Sequence, residues 1–396
     1  MTDATSIRLL TLNCWGIPYI SKNRSARMNA IAEKLADGEY DIVCLQEVWS
    51  VDDFKMLKAK AQECLPYSHY FYSGVLGSGI CILSRYQIQD VMFHRWPLNG
   101  YVHKIHHGDW FGGKGIGLCR LKIKNIKVNI YVAHLHAEYD RENDEYTAHR
   151  VLQAFDTAQF IRMTKGGSDV VILGGDLNTE PQDLAYRIIC GIGELTDACT
   201  NSSCFNQGTN ECATNSYTGS NFARKKPEGH RIDHILYLGS SRYKVEVTDF
   251  KQPFPNRVPG KNFSYSDHEA IAATLKMTKG HYEVQEVDVR DSLKEALVIC
   301  EAALVSIHRR RMWYLLLSLF LLILLILPLL LHLLLDQNSI AVTIALNVLR
   351  FLLTAVLCYT LFMSSIWNNV EKNSLKAGYL AMEMHLVQLN RNLANT

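Results

Sequence analysis

The sequence lacks both the paired cysteines of a zinc ribbon and the features of a secretory signal. It has 11 cysteines among 396 residues, and its N-terminus contains no charged start followed by an apolar core and a cleavage site. We therefore expect reduced thiols in the cytosol. A zinc site or a disulfide at Cys199, Cys204 and Cys212 is disfavoured, because no histidine lies at a matching distance in that polar loop.

Neither sign of charge is in large surplus. The chain has 41 Lys and Arg residues against 39 Asp and Glu residues, which gives a formal net charge of +2 at pH 7. Enzymes that cut DNA or RNA gain affinity from basic residues that contact phosphates, so this balance argues against a nucleic-acid partner. A content of 48% hydrophobic residues also excludes a disordered chain.

Charged residues are absent from one long segment near the C-terminus. Residues 312–335 contain no Asp, Glu, Lys or Arg. As a helix this segment would be about 36 Å long, whereas the hydrocarbon core of a bilayer is roughly 30 Å thick. It therefore predicts a transmembrane helix.

A second apolar stretch, 340–367, predicts another membrane span, although it contains Asn347 and Arg350. An arginine in the middle of a membrane helix costs about 2.5–3.5 kcal/mol on insertion scales, which the surrounding apolar residues offset. The alternative is a shorter helix that begins near Phe351. Together the two stretches predict a transmembrane helical hairpin.

The residues that flank the two spans predict their orientation. Three arginines at 309–311 precede the first span, Lys372 and Lys376 follow the second, and the turn at 336–339 has no Lys or Arg. By the positive-inside rule both long ends are cytosolic. The pattern predicts an integral, multi-pass protein of the endoplasmic reticulum or another internal membrane, with its N-terminal domain in the cytosol.

The segment that precedes the first span, 284–307, has apolar residues at helical spacing among charged ones. This spacing predicts an amphipathic helix, and a solvated spacer is the equally open alternative. The predicted domains are an α/β domain at 1–277, a linker helix at 278–311, two transmembrane helices at 312–367 and a cytosolic tail at 368–396.

Residues 1–277 alternate β-type apolar runs with helical patterns, which is typical of a layered α/β domain. We predict strands at 7–13, 41–46, 80–84, 127–134, 169–175, 232–238 and 270–275. We predict helices at 24–36, 52–64, 143–162 and 183–190.

Polar residues lie where these apolar runs stop. If the strands lie side by side, their ends converge on one edge, and we expect a shared cleft there. The residues concerned are Asn13, Glu47, His134, Asp176, Asn178, Asp267 and His268. Carboxylate and amide oxygens suit Mg²⁺ better than Zn²⁺, so the cleft predicts metal-assisted chemistry.

Two spacings in this set indicate more specific roles. Asp176 and Asn178 are two apart, so in an extended segment both face one side while Leu177 points into the core. The adjacent residues Asp267 and His268 offer a ligand and an imidazole. Asp233 is a carboxylate that could orient that imidazole, and such a pair is suited to general-base catalysis.

Five motifs in this order resemble the endonuclease/exonuclease/phosphatase superfamily of Mg²⁺-dependent phosphodiesterases over about residues 7–277. They are Leu12-Asn13-Cys14-Trp15-Gly16, Gln46-Glu47-Val48-Trp49, Gly174-Gly175-Asp176-Leu177-Asn178, Arg231-Ile232-Asp233 and Ser266-Asp267-His268. Further segments are similar to the neutral sphingomyelinases: Asn13 to Pro18, residues 98–111 with Lys114, and His134-Leu135-His136-Ala137-Glu138. The two C-terminal spans resemble the short membrane-bound type.

The resemblance implies a four-layered α/β sandwich, the DNase-like fold, with residues 1–277 as a catalytic domain. It implies that Glu47 is the principal Mg²⁺ ligand, with Asn13 and Asp267 beside it. His268 would be the general base, paired with Asp233. Asp176 and Asn178 would position the attacking water and the phosphate.

Three further assignments follow from the resemblance. His134 aligns with the family's phosphate-binding histidine, with His136 as the second candidate on the same strand face, and the two roles could be exchanged. Asp109 and Lys114 match an Asp and Lys pair that is thought to switch a loop between inactive and active states. An ordinary ion pair within a loop is the alternative interpretation of these two residues.

The implied reaction is hydrolysis of sphingomyelin to ceramide and phosphocholine, with Mg²⁺ as cofactor and a membrane lipid as substrate. Lyso choline phospholipids are further candidate substrates. The alternatives are a phosphoinositide phosphatase or a nuclease of the same superfamily, and a membrane scaffold that has lost catalysis. The sequence predicts no particular protein partner.

Overall fold

The computed structural model describes residues 4–104, 107–200, 207–283, 287–334 and 340–394. Its strands form two six-stranded sheets. In chain order they are β1 (Thr5–Asn13), β2 (Ile42–Gln46), β3 (Tyr67–Tyr70), β4 (Cys81–Ser84), β5 (Ile88–Arg95), β6 (Gly115–Ile123), β7 (Ile126–His134), β8 (Val170–Asp176), β9 (Thr196–Asp197), β10 (Asp233–Leu238), β11 (Tyr243–Lys251) and β12 (Ile271–Lys279). The sheet orders are β11-β12-β1-β2-β4-β3 and β5-β6-β7-β8-β10-β9.

The helices occupy two separate parts of the chain. Those of the first part are α1 (Arg24–Ala36), α2 (Val51–Ala61), α3 (Thr147–Thr164), α4 (Leu184–Gly193) and α5 (Ser220–Lys225). Those of the second part are α6 (Arg290–Leu334), α7 (Ile340–Phe362), a π-helical segment (Met363–Trp367) and α8 (Asn368–Ala394). The chain divides into two units, Met1–Leu293 and Lys294–Thr396.

The two sheets pack face to face around an apolar core. Ile7 and Leu9 of β1 belong to this core together with Val128 and Ile130 of β7, and each is at most 1% exposed. Because the residues are two apart on each strand, the residues between them point to the opposite face. That outer face is covered too, which explains why the central strands are almost continuously apolar in sequence.

Helices cover the outer face of each sheet. Leu10 and Leu12, on the outer face of β1, belong to a second core with the apolar side of α1 and α2. On the other sheet, the Tyr131 hydroxyl of β7 lies 2.7 Å from Oγ1 of Thr164 in α3, and the Tyr131 ring packs edge-on against Phe160. This order of layers confirms the predicted four-layered sandwich.

Every predicted strand and helix of the first 277 residues is present, although the ends shift by up to four residues. The strands that the sequence analysis missed are β3, β5, β6, β9 and β11. Four of them are the edge strands of the two sheets. An edge strand has one unpaired side and exposes many of its side chains, so its sequence does not need the apolar run that we searched for.

The second unit contains an antiparallel helical hairpin. Ser318 of α6 donates a hydrogen bond to Thr360 of α7 at 2.8 Å, and the side chain of Asn368 in α8 donates to the Ile307 carbonyl of α6 at 3.1 Å. As the residue numbers fall along α6, those of its partners rise. The structure thus contains the helical hairpin that the two apolar stretches predicted.

The structure adds two details to this hairpin. The linker helix does not end before the first span, because α6 is continuous from Arg290 to Leu334. Its buried residues Leu293, Ala296 and Cys300 recur at helical spacing, as an amphipathic helix requires. The second stretch is helical from Ile340 onward, so the shorter alternative is not observed.

Within the described residues, two helical segments are long and apolar enough to cross a membrane, Arg290–Leu327 and Ile340–Asn392. Only 11% of the most apolar window of each is buried inside the structure. Three expectations concern residues outside those described: the turn at 336–339, the start of the linker at 284–286, and Cys204. No disulfide joins the cysteines of the described segments.

Candidate active site

The predicted polar residues meet at one edge of the two sheets because of how the strands pair. β1 and β2 are parallel, with Asn13 opposite Gln46, so both strands end at this edge. In the other sheet β7 and β8 are parallel, with His134 opposite Asp176. β10 runs in the opposite direction and begins there, with Asp233 opposite Asp176.

Asp176 is at the centre of the cluster. Its Oδ2 accepts a hydrogen bond from the Asn13 side chain at 2.9 Å and lies 3.4 Å from His134 Nε2 and 3.9 Å from His268 Nε2. Its Oδ1 accepts from the backbone N–H of Asn178 at 3.0 Å. Burial, followed by the charge of Asp233, raises the pKa of Asp176 to about 6.

Asn178 reaches this site by a turn rather than by the extended segment that we expected. β8 ends at Asp176, and Asn178 has a left-handed backbone with φ of 46°. Asparagine tolerates this conformation better than most residues. The Asn178 side chain donates to the Leu135 carbonyl at 3.0 Å, and Leu177 is fully buried as predicted.

The paired glycines before Asp176 allow strands to approach closely, as the sequence indicated. A Cβ atom on Gly175 would lie 2.1 Å from the carbonyl oxygen of Ala133 on β7. A Cβ on Gly174 would contact Leu9 and Cys44 of the opposite sheet at 3.4 Å. The close packing therefore brings the His134 and Asp176 ends of β7 and β8 together.

His268 and Asp233 form a buried pair. Nδ1 of His268 donates to Asp233 Oδ2 at 2.8 Å, which leaves Nε2 facing Asp176. Burial by itself would lower the pKa of His268, but the Asp233 carboxylate, with Asp176, outweighs burial and holds the pKa well above its usual range. The hydroxyl of Thr209 accepts from the backbone N–H of Asp233 at 3.1 Å and so fixes the start of β10.

Glu47 follows directly after β2 in a strained backbone conformation, with φ of 55°. Its carbonyl oxygen accepts from the N–H of Gly16 at 2.9 Å, and a Cβ at Gly16 would lie only 2.4 Å from that oxygen. Only glycine fits at position 16. The loop after β1 and the loop after β2 are thereby held together, which aims the Glu47 side chain at the cluster.

The Glu47 carboxylate has an unsatisfied oxygen. Its Oε2 is buried without a hydrogen-bond partner, and its Oε1 lies 3.9 Å from His134 Nε2. Burial, followed by the negative charge of Asp267, raises the pKa of Glu47 to about 7. Burial also raises the pKa of Asp267. Two carboxyl groups whose ionisation is disfavoured, one of them with a buried oxygen that lacks a hydrogen-bond partner, fit a bound cation.

The side chain of Asn13 connects this pair of acids to the rest of the site. Its nitrogen donates to Asp176, while its oxygen accepts from the N–H of Trp15 at 2.9 Å. The hydroxyl of Ser266 donates to the Asn13 carbonyl at 2.6 Å, which ties β1 to the segment that carries Asp267. Asn13, Glu47 and Asp267 are the set that could hold a hard cation.

A second group with the spacing of a metal site consists of Asp176, Asp233 and His268, whose ligand atoms lie within 4.8 Å of one another. In this group His268 donates to Asp233 Oδ2, while Asp233 Oδ1 is buried without a hydrogen-bond partner, as Glu47 Oε2 is. Because the Asp233 carboxylate is already engaged by the His268 imidazole, the Glu47 and Asp267 side of the cluster is the better cation site.

Asp109 and Lys114 form a buried ion pair beside the cluster. Lys114 Nζ lies 2.5 Å from Asp109 Oδ1, and 3.3 Å from both His134 Nε2 and the Leu135 carbonyl oxygen. Burial alone would raise the pKa of Asp109, but the Lys114 ammonium and then His136 outweigh it and hold the pKa well below its usual range. Because Lys114 is only 2% exposed and contacts His134, the pair is not an ordinary ion pair of a surface loop.

His134 and His136 occupy different environments. β7 ends at His134, which is the histidine that contacts Asp176. Burial, followed by the Lys114 charge, lowers the pKa of His134 well below its usual range. His136 is not on the strand face that we expected: its ring stacks on Tyr146 at 3.9 Å, and its Nε2 lies 3.5 Å from Asp109. Burial lowers the pKa of His136 to about 4.

Two residues near the site were not found by sequence analysis. Arg27 is fully buried in α1, and its guanidinium donates to the carbonyls of Cys14, Trp15 and Tyr265 at 2.6–3.1 Å. Arg27 lies on the apolar side of an amphipathic helix, and this position in the sequence could have predicted that it is buried. The hydroxyl of Tyr139 forms a short hydrogen bond with Asp109, and no spacing in the sequence indicated it.

Comparisons with known proteins agree with this geometry. The model of the Endonuclease/Exonuclease/phosphatase family matches residues 10–268. A putative neutral sphingomyelinase of Drosophila melanogaster is 40% identical over 436 residues, which cover 96% of this chain and 97% of that protein. Sphingomyelin phosphodiesterase 2 of Homo sapiens is 42% identical over 272 residues, which cover 68% of this chain and 64% of that protein.

A further relative is named for a different substrate. Inositol phosphosphingolipids phospholipase C of Schizosaccharomyces pombe is 32% identical over 309 residues, which cover 73% of each chain. Among solved structures, sphingomyelinase C from Streptomyces griseocarneus has a TM-score of 0.51 at 20% identity and covers 68% of this chain and 99% of its own. That similarity shows a shared fold.

Proposed function

The chain belongs to the Endonuclease/Exonuclease/phosphatase family and, within it, to the neutral sphingomyelinases, and we propose that it hydrolyses sphingomyelin to ceramide and phosphocholine. This is a phospholipase C-type reaction, in which water displaces the ceramide oxygen from phosphorus. The sphingolipid relatives support the substrate class. The observation that carries the proposal is the His268–Asp233 pair next to Asp176 and the unpartnered carboxylate of Glu47.

We infer that the site binds Mg²⁺ through Glu47, Asp267 and the amide oxygen of Asn13. These are hard oxygen donors, which Mg²⁺ prefers, and Mg²⁺ commonly uses one or two carboxylates plus substrate phosphate. The buried Glu47 oxygen without a partner supports this assignment. When bound, the cation supplies charge that polarises a phosphate oxygen.

His268 acts as the general base at its Nε2 atom, which requires the neutral imidazole. The neighbouring carboxylates raise its pKa, and positive charge held by Glu47 and Asp267 would lower it again and so favour the neutral form. Its Nδ1 is engaged by Asp233, so only Nε2 can exchange a proton with substrate water. Asp176 Oδ2, 3.9 Å away, is placed to accept a hydrogen bond from that water and to orient it. Once His268 has taken the proton, Asp233 and Asp176 stabilise the imidazolium, while the water oxygen attacks phosphorus and the bond to the ceramide oxygen breaks. The departing ceramide oxygen takes a proton from solvent water, and the proton on His268 returns to solvent.

His134, Lys114 and Asn178 bind the phosphate in this proposal. Lys114 supplies a buried positive charge. Burial, together with that charge, keeps His134 neutral, so the imidazole donates a hydrogen bond and adds no second charge. Asn178 supplies a side-chain amide. Such fixed donors share the negative charge that develops on the phosphate oxygens in the transition state. Asp109 holds Lys114 in position, and His136 contacts Asp109 rather than substrate.

The test is release of phosphocholine from sphingomyelin by the full chain in detergent micelles, with Mg²⁺ and with excess EDTA. His268→Ala should lower kcat by about 10²–10⁴-fold, the range for loss of a general base, with KM nearly unchanged. His94→Ala, on the edge strand β5, is the matched control. A wild-type rate in excess EDTA would refute the requirement for Mg²⁺. A wild-type rate in His268→Ala would refute the assignment of His268 as the general base.

Inositol phosphosphingolipids are the second candidate substrates, because the Schizosaccharomyces pombe relative that is named for them is 32% identical to this chain over 309 residues. The same assay should include an inositol phosphosphingolipid and lyso choline phospholipids as competing substrates. A higher kcat/KM for the inositol lipid than for sphingomyelin would mean that the preferred substrate has an inositol phosphate headgroup rather than phosphocholine. We expect no hydrolysis of DNA or of phosphoinositide monoesters. Loss of all activity would favour an inactive scaffold, but each predicted ligand and base is present in the site.

We also propose that the helical hairpin crosses an internal membrane with both of its ends in the cytosol. The arginines at 309–311 and Lys372 lie on one side of the two apolar stretches, which supports this orientation. We retain 1–277 as the catalytic domain, 278–311 as the linker, 312–367 as the spans and 368–396 as the tail. Protease added to sealed microsomes should digest the catalytic domain, and its protection would reverse the topology.

A further inference from the structure

We propose that five exposed apolar residues on two loops beside the site form a surface that inserts into the headgroup region of a lipid bilayer. These residues, the rim patch, are Tyr19 and Ile20 in the loop between β1 and α1, and Tyr72, Val75 and Leu76 in the loop between β3 and β4. The inference rests on the proposed function in one respect, that the substrate is a membrane lipid.

The side chains of the rim patch are apolar or aromatic, yet most of their surface is exposed. Relative exposure is 107% for Tyr19, 70% for Ile20, 70% for Tyr72, 75% for Val75 and 58% for Leu76. Single exposed apolar residues are common on soluble proteins and need no explanation. Five of them on two loops at one edge of one sheet are more than scattered exposed residues explain, so we expect a partner for them.

Strand order places both loops at the edge that carries the site. β1 and β2 are parallel and end together, with Asn13 opposite Gln46. β4 runs the other way beside β2, with Cys81 opposite Leu45, so the residues just before Cys81 lie at this same edge. Adjacent strands are about 4.8 Å apart, which puts the two loops on either side of Glu47, about two strand spacings from each other.

The first loop is held rigidly in its exposed form. The N–H of Ser21 donates to the Ile17 carbonyl at 3.0 Å, and the Ser21 hydroxyl accepts from the N–H of Ile17 at 3.0 Å, so a tight turn presents Tyr19 and Ile20. At its two ends, the buried guanidinium of Arg27 binds the carbonyls of Trp15 and Lys22. These hydrogen bonds favour the conformation in which the side chains at the tip are exposed.

The second loop is tied to the loop that carries Asp109 and Lys114. The N–H groups of Val75 and Leu76 both donate to the Phe111 carbonyl at 3.2 Å, and Gly113 donates to the Gly77 carbonyl at 2.9 Å. A Cβ on Gly74 would lie 2.5 Å from Gly113 N, so the two loops are in backbone contact. Anything that binds the rim patch therefore lies next to the cleft.

A bilayer surface fits the rim patch better than a protein does. Two tyrosines with aliphatic neighbours are typical of residues at the membrane interface, where the ring is apolar and the hydroxyl is hydrated. Lys22 is exposed beside the first loop and suits the phosphate groups of lipids. The same chain also contains two helices long and apolar enough to span a membrane, so a bilayer is available to this domain.

The direct test places an environment-sensitive fluorescent amino acid at position 20 of the full chain, reconstituted in phosphatidylcholine vesicles that contain sphingomyelin. Position 163 is the matched control, because Met163 is 76% exposed near the C-terminal end of α3, which returns from the site to the opposite edge of the sheet. The probe at position 20 should shift to the blue and be quenched by lipid-attached quenchers, whereas the probe at 163 should not. Equal behaviour of the two probes would overturn the proposal.

A kinetic test uses the double variant Tyr19→Ser with Ile20→Ser. Loss of two inserted side chains should lower kcat/KM about tenfold on sphingomyelin in vesicles, with no change on a water-soluble phosphocholine ester and no change in melting temperature. Equal loss on both substrates would overturn the membrane role. A probe shift that depends on protein concentration but not on lipid quenchers would assign the surface to a second copy of the chain instead.

The two tests separate this inference from the proposed function. If the wild-type chain hydrolyses no sphingolipid, the proposed function fails, but the fluorescence of position 20 still reports on membrane contact. If the chain is active and position 20 behaves like position 163, the substrate assignment survives and the rim patch is not a membrane surface.

Discussion

The two units of the chain place their apolar and polar residues in opposite ways. In the first, Ile7 and Val128 are buried between the sheets and the buried charges gather at one edge. In the second, Leu316, Phe320 and Ile323 are each more than half exposed on a hairpin held by hydrogen bonds such as Ser318 to Thr360. The first arrangement is that of a protein in water with a costly polar site, and the second suits lipid as the surrounding solvent.

Buried charges show the same difference. In the first unit Glu47 is half-buried, one of its carboxylate oxygens is buried without a hydrogen-bond partner, and burial, followed by the charge of Asp267, raises its pKa. In the second unit Arg310 donates to Glu371 at 3.1 Å, just outside the apolar stretches, and Trp367 also donates to Glu371 at 2.8 Å. The buried carboxylate of Glu371 is thus paired, whereas a partly unpaired site is what a catalytic centre requires.

The largest expected effect separates function from stability in the first unit. Glu47→Gln should lower activity by about 10²-fold or more, because it removes the carboxylate we assign to the metal. Its melting temperature should equal or exceed that of wild type, since an orphaned buried carboxylate costs stability. Glu63→Gln, on the surface, is the control in activity and melting assays. Full activity of Glu47→Gln at saturating Mg²⁺ would contradict the assignment.

Removal of the second unit tests whether the two regions act independently. A chain cut after Leu293 should lose about tenfold or more in rate on bilayer sphingomyelin, because tethering raises the effective concentration at the surface. Its rate in detergent micelles should remain close to that of the full chain. A cut after Lys279 should also destabilise the first unit, because Val289 lies against Gly191 of α4. Equal loss in both assays after the Leu293 cut would mean that the hairpin helps to build the site.

The buried Asp109–Lys114 pair gives a prediction with a sign in pH. The folded-state pKa of Asp109 is lowered, so its contribution to stability is present above the unfolded pKa of about 3.9 and is lost as pH falls further toward the folded value. Asp109→Asn should destabilise the protein by about 3–5 kcal/mol at neutral pH, because Lys114 is left buried and unpaired. The difference from wild type should shrink below pH ~4.

Unfolding of the full chain in detergent at several pH values measures this difference. Asp90→Asn, an exposed residue on β5, is the control and should show neither effect. A destabilisation of Asp109→Asn that stays constant down to low pH would show that the ion pair is not its cause.

The smallest effect is expected inside the hairpin. Ser318→Ala removes the hydrogen bond to Thr360 and should destabilise the pairing of α6 with α7 by about 0.6 kcal/mol, the average for such bonds within membrane proteins. The activity in micelles should not change. The measurement is unfolding of the full chain in detergent, with Ser365→Ala as control, since Ser365 bonds only within its own helix. A drop in activity would contradict the independence of the two regions.

The central part of the fold was accessible from sequence because its strands are buried on both faces. β1, β2, β7, β8 and β10 have continuous apolar runs, and each was predicted close to its observed ends. β5 and β11 are edge strands with exposed side chains, and Gly115 and Gly117 interrupt β6. A search for apolar runs cannot find such strands, because their stability comes from pairing with a neighbour.

The sequence by itself determined which chemical groups the site has and that they lie at strand ends. Asn13, Glu47, Asp176, Asp267 and His268 were found because apolar runs stop there. The two apolar stretches were equally visible, because long segments without charge have few alternatives to a membrane. These features depend on residue type and on local order along the chain.

Only the tertiary structure decided how the groups divide between roles. It brought His134 to Asp176 and His136 to Asp109, although the two histidines are only two residues apart, because β7 ends between them. It also buried Arg27 and Lys114 beside carbonyl groups from distant segments. Burial and contacts between residues far apart in the chain set the pKa values of the two histidines and the partners of all four side chains. Neither burial nor such contacts are encoded in the spacing of a motif.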